Sequence, residues 1–145
     1  MHLLKIKKKE FCLIACKTTT DSYDTTIKKL TLMQKKGFIQ LIPQKFLKSK
    51  WHALIALDHV FSLNQKIAKS KSLEFLVRVL GTNQLSKALE KVEKEFFLAK
   101  DFVLVFDSKK FELKKILSNL NLEETNFKEV EDIIAIEKTA LVALK

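Results

Sequence analysis

The sequence predicts a single α/β domain, residues 1–145, built as a mixed β-sheet with helices packed on it. Three observations predict it. Short apolar runs alternate with longer segments whose apolar residues recur at helical spacing, as in strands and helices sharing one core. Only two glycines and one proline occur, too few for a disordered or linker-rich chain. A length of 145 residues with 47% hydrophobic content supports one core that removes roughly 70% of the unfolded surface from water. Eleven phenylalanines can supply much of it, each worth about 1.5–3 kcal/mol when fully buried.

Residues 2–8 and 11–17 read as two strands meeting at the charged turn Lys8-Lys9-Glu10. A helix follows from Ser22 or Asp24, with Ile27, Leu30 and Met33 on one face and an end at Gly37. Residues 38–42 form a short strand stopped by Pro43. Ser49 caps a helix over 50–67, whose inward stripe is Ala53, Leu54, Leu57, Val60, Phe61 and Ile67. The nearly continuous apolar run 73–80 fits either a buried strand or a helix. Val77, Val79, its shortness and the following Gly81 favour the strand. Asn83 then caps a helix through Phe96, and 102–106 (FVLVF) is a buried strand. That strand–helix–strand order implies a right-handed crossover between parallel strands. Ser108 caps a helix over 109–117 with Phe111, Leu113, Ile116 and Leu117 inward. Residues 128–137 read as a helix and 140–144 as a last strand.

The net charge is +10, and Arg78 is the only arginine among 27 basic residues. Such an excess favours polyanionic partners. A lysine-rich proteome produces the same total, so only the placement of the lysines is evidence. Cys12 and Cys16, four apart on one strand, share a face but lie too far apart to bridge. They read as buried thiols in a reducing cytoplasm. The opening segment lacks the apolar length of a signal peptide or membrane span.

No catalytic signature is present. Two glycines cannot build a phosphate loop or a dinucleotide fingerprint, and no His-Glu-x-x-His, Cys-x-x-Cys or Gly-x-Ser-x-Gly occurs. His52, His59 and Lys66 recur every seven residues, which reads as a polar helix face and not as metal-ligand spacing. The expectation is a protein without catalytic residues, metal, cofactor or small-molecule substrate.

Lys66, Lys69 and Lys71 close the helix over 50–67, where cations offset the helix dipole or follow a phosphate backbone. Residues 81–84 open the next helix, whose N-terminus offers free backbone N–H groups. If the two segments meet across the strand between them, they form an anion site with amides beside it. In that site Lys66, Lys69, Lys71, Arg78 and Lys87 hold phosphates, while Asn83 and Gln84 contact terminal nucleotides. Glu74 reads as a salt-bridge partner for a neighbouring cation. Trp51 and Tyr23 are the aromatics expected outside the core, and Phe96-Phe97 reads as buried or as a partner-facing patch.

The order Ala53/Ala56, Ala68-Lys69-Ser70, Glu74, Leu76, Gly81-Thr82, Gln84 and Ala88 resembles the PRPK-binding protein family, the smallest core subunit of the KEOPS (EKC) complex of archaea and eukaryotes. The resemblance covers residues 51–106. It implies a non-catalytic cytoplasmic subunit that binds and supports the atypical kinase of the complex. It also implies binding of tRNA through the single-stranded 3′ CCA end, for threonylcarbamoyladenosine modification. Lys69, Gly81, Thr82 and Gln84 stand at the family's motif positions. Lys69-Ser70 replaces the frequent Arg-Ser pair, losing a bidentate fork. The chain's end shortly after 144 is like that of shorter archaeal-type members. Three other readings stay open: a general basic RNA-binding module unconnected with a kinase, a pure protein-interaction subunit, and an enzyme with an unrecognised site. The kinase-binding face is not assigned by the sequence.

Overall fold

The first element is a hairpin. β1 (His2–Ile6) and β2 (Lys9–Thr18) pair antiparallel with Ile6 opposite Lys9, which leaves the two-residue turn Lys7-Lys8. Lys7 takes φ 55°, the left-handed conformation that a tight hairpin turn uses. The turn thus begins one residue earlier than the charge pattern indicated. This register turns Leu4 and Ile6 into the core and leaves Leu3 and Lys5 exposed.

The computed structural model describes residues 1–18, 22–63, 68–127 and 139. They form one α/β domain with, in further order, α1 (Tyr23–Gln34), β3 (Ile39–Pro43), α2 (Lys50–Ser62), α3 (Lys71–Leu80), α4 (Leu85–Phe96), β4 (Asp101–Asp107), α5 (Leu113–Asn119) and β5 (Leu122–Thr125). The helices expected over 128–137 and at 64–67, and the strand over 140–144, lie outside the described residues.

β4 pairs with β2 on one side and with β3 on the other. β1 and β5 share the remaining edge of β2, β1 along its first half and β5 against residues 15–18. Every pairing among the described residues is antiparallel. The parallel crossover expected for 73–80 and 102–106 is therefore absent. β4 reads as a continuous apolar run because helices cover both faces of the sheet, a burial that says nothing about strand direction.

Alternation along the strands makes two cores. Phe11, Leu13, Val103, Val105 and Ile42 face one side and pack with α2 and α3. Cys12, Ile14, Cys16, Leu104, Phe106 and Ile39 face the other, under α1 and α5. α4 runs beside β3, giving Val92 to the first core and Phe96 to the second.

The largest correction concerns residues 73–80, which belong to helix α3. Ser70 caps it by accepting from the Leu73 N–H at 3.1 Å, and Gly81 ends it in the left-handed region at φ 67°. Gly81 is thus a helix terminator and not a strand boundary. Two other caps also differ. The residue preceding α4 is Gln84, not Asn83, and its side chain makes no capping bond. Ser108 caps nothing: its hydroxyl donates to Glu10 O at 3.1 Å, and the helix starts later, at Leu113. Ser22 and Ser49 cap as expected, accepting from the N–H groups of Thr25 and His52.

At the free side of β3, α3 supplies partners for the strand's outward backbone. The Ile39 N–H donates to Ser72 Oγ at 3.3 Å and the Gln40 amide donates to Ser72 O at 2.8 Å. Gln40 Oε1 in turn accepts from the Leu41 N–H at 3.1 Å. Side chains thus satisfy the outward N–H groups of Ile39 and Leu41.

Candidate nucleic-acid interface

Of the expected site residues α3 carries Lys71 and Arg78, with Lys69 just before it and Asn83, Gln84 and Lys87 after it, and most of this helix is buried. Residues 74–79 are all buried, including Glu74 and Arg78. One turn apart, these two form an ion pair, with Arg78 Nε donating to Glu74 Oε2 at 2.7 Å. The other carboxylate oxygen accepts from the Ala68 N–H at 2.7 Å. This names the partner of Glu74 and corrects the role of Arg78. Its side chain is 0% exposed, so it braces α3 from within and presents no guanidinium to a phosphate.

The two predicted halves of the anion site sit at opposite ends of this rod. Ten helical residues separate them by about 15 Å. The composite site expected from the sequence is not formed.

At the N-terminal end Lys69 and Lys71 are exposed, and Lys66 lies outside the described residues. Lys71 Nζ stands 4.5 Å from the centroid of the Phe61 ring, and Lys9 Nζ stands 5.2 Å from the same ring. A ring quadrupole favours both ammoniums, by about 0.5–1 kcal/mol each at an exposed site. Together with Ser70, Ser72 and Lys110 they line a cleft of about 280 Å³. The cleft collects the start of β2, the ends of α1 and α2, the start of α3 and the end of β4 at one end of the sheet.

At the C-terminal end, the Thr82 N–H donates to Val77 O at 3.3 Å, closing α3 behind Gly81. Thr82 Oγ1 accepts from the Gln84 N–H at 3.3 Å. Asn83, Gln84 and Lys87 are exposed there, at the opening turn of α4. Two amides and one ammonium beside a helix N-terminus suit an anionic, hydrogen-bonding ligand.

The histidines depart from the expected polar face. His52 is buried, its Nε2 3.1 Å from Val79 O and 3.0 Å from Thr139 Oγ1, so it fills the seam between α2 and α3. Its spacing of four from Ala56 and eight from Val60, both buried, was the sequence signal for this. His59 is half-buried and its Nδ1 has no hydrogen-bond partner among the described residues. Burial pushes its pKa down, the Arg78 charge adds to this, and Asp58 opposes.

Cys12 and Cys16 are free, buried and on one face of β2. Burial, with Glu124 and Asp101 adding, raises the Cys16 thiol to about 12; burial also raises Cys12. Both stay protonated at neutral pH, the inert state of a thiol. Among the described residues no three His, Cys, Asp or Glu side chains cluster as metal ligands. None of the helices described is long and apolar enough to cross a membrane.

Trp51 is 53% exposed, with Lys50 Nζ 5.7 Å from its ring. Tyr23 is half-buried against Phe96, and Phe96 packs on Phe102. Phe97 and Leu98 stay largely exposed.

Sequence reasoning found Lys69 and Lys71 but missed Lys9, Phe61 and Lys110. No one-dimensional signal joins these three. They meet because β2 and β4 pair with Phe11 opposite Asp107. No family model matches this chain, and no curated protein is significantly similar to it.

Proposed function

We propose that the chain is a non-catalytic, cytoplasmic accessory subunit of the KEOPS complex. In this reading it binds and supports the atypical kinase of the complex and recruits tRNA by the single-stranded 3′ CCA end for threonylcarbamoyladenosine modification. The observation that carries the reading is the distribution of the family-like residues along α3. Glu74 and Leu76 are buried in the rod, while Lys69, Thr82 and Gln84 mark its two accessible ends. A rigid element with accessible ends is suited to holding partners in place.

Lys69, Lys71 and Lys87 then neutralise phosphates, and Asn83 and Gln84 bond to terminal nucleotides or sugar hydroxyls. Arg78 contributes by holding the rod. The test is a binding titration with intact tRNA and with tRNA lacking the three terminal nucleotides. Loss of the CCA end should weaken binding at least about tenfold, or about 1.4 kcal/mol. Equal affinities would end the 3′-end reading, and failure of the kinase to co-purify from the native cell would end the KEOPS reading.

A second reading, a general basic RNA-binding module, draws on one specific observation. The Lys9–Phe61–Lys71 cleft lies at the other end of α3 from Asn83 and Gln84. Such a module binds both tRNA forms alike.

A further inference from the structure

We infer that the lysine-lined end of the sheet is a track for an RNA sugar-phosphate backbone, running from the Lys9–Lys71 cleft across Lys110 into a second cleft on the opposite helical layer. It rests on the proposed function only in taking RNA as the polyanion. None of its added residues was singled out by the sequence.

The second cleft, about 480 Å³, lies between the end of α1, the segment before α5 and α5 itself. Lys36, Lys109, Lys110 and Lys115 line it. Lys110 lines both clefts, so the two adjoin at this residue.

The position of Lys110 is built into the fold. A Cβ on Gly37 would lie 2.9 Å from both Cβ and Cγ of Lys110 and 3.3 Å from Phe111 Cε2. Gly37 has no positive φ, so glycine stands there for room. The α1–β3 connection closes directly against the Lys110 stem.

Two carboxylates also line these clefts, Asp107 the first and Glu112 the second. Asp107 Oδ1 accepts from the Lys109 N–H at 3.0 Å, shaping the turn that projects Lys109 and Lys110. Glu10 Oε1 accepts from the Ser108 hydroxyl at 3.2 Å, and Glu112 pairs with Lys115 at 3.3 Å. Lys9, Lys36, Lys71, Lys109 and Lys110 make no ion pair among the described residues. Lysines outnumber carboxylates in both adjoining clefts, a like-charge cost that a bound polyanion removes.

The residue types specify the ligand further. Lysine is a point charge without the planar fork that reads base edges. The Phe61 ring is engaged by two ammoniums. The surface therefore grips phosphates and leaves sequence unread.

The test uses the whole chain and a blunt, fluorescein-labelled RNA duplex without a CCA overhang. If each of the six lysines neutralises one phosphate, log affinity falls with log salt at a slope of about −5.4. The variant K36Q/K109Q/K110Q/K115Q should lower the steepness by about 1 per lysine. Its thermal melt reports that it folds. A control, K45Q/K91Q/K94Q/K100Q, should keep the wild-type slope. An unchanged slope in the first variant, or an equal loss in the control, overturns the track. Displacement of RNA by poly-glutamate of equal charge would overturn the choice of RNA over an acidic protein. The two proposals fail separately. Retained CCA discrimination with an unchanged slope removes only the track. A slope loss with equal binding of both tRNA forms removes only the 3′-end reading.

Discussion

The two ends of the sheet are made from the same lysine-rich composition, yet they treat their lysines differently. At the end where β2 begins and β4 finishes, Lys9, Lys71 and Lys110 crowd one cleft with no ion pair among the described residues. At the other end Lys17 pairs with Glu123 at 3.6 Å and Lys45 with Glu95 at 3.5 Å, and the exposed Phe97 and Leu98 lie beyond α4. A charge of +10 therefore tells little. The information lies in which cations the fold leaves without counter-charges.

Arg78→Met removes the guanidinium from the buried Glu74 carboxylate, which should cost about 3–5 kcal/mol. Urea unfolding measures it. Because α3 ends in Lys71 on one side and leads into Asn83 and Gln84 on the other, the proposed RNA binding should weaken at both ends together.

Lys71→Gln with Lys110→Gln sharpens the comparison. The salt slope for RNA should lose about 2 units. The matched pair Lys17→Gln and Lys45→Gln, at the opposite end, should leave it intact and change stability by no more than about 0.2–1 kcal/mol per bridge. Equal slope losses would erase the distinction between the ends.

Gly37→Ala probes the same difference without altering charge. The added methyl displaces the Lys110 stem, so the slope should lose at most about 1 unit. A wild-type slope would mean that Lys110 needs no fixed position.

The smallest effect is one of pH. The folded pKa of His59 lies below its unfolded value near 6.5, so the unfolded chain binds the extra proton first. Stability from this group is present above that value and is lost as pH falls through it. His59 lines a cleft with Lys5 and Lys7, so acidification adds charge to the lysine-rich end. Melting curves at pH 5 and 7.5 should show a smaller loss in His59→Gln than in wild type.

β2 and β4 could be read from the sequence because burial on both faces forces unbroken apolar runs. The same property hid α3. Its polar residues Lys71, Glu74 and Arg78 do recur at helical spacing, but a run of eight residues holds too few turns to outweigh the β-branched Val77 and Val79. Its signals were present in other forms: Ser70 before it, Gly81 after it, and Glu74 and Arg78 four apart. Lys71 could be found as part of a local cationic run. Lys9 and Lys110 could not, since only the β2–β4 register joins positions about a hundred residues apart.

Ser72 has a consequence for what the molecule avoids. It lines the Lys9–Lys71 cleft, accepts from the Ile39 N–H and holds the Gln40 side chain that caps the Leu41 N–H. Were the start of α3 to lift away, the N–H groups of Ile39 and Leu41 would be bared on an apolar strand, a template for joining another chain and for aggregation. Protection against self-association and presentation of the lysines thus depend on the same helical turn. The proposed polyanion, by fastening that turn, would also guard the β3 edge.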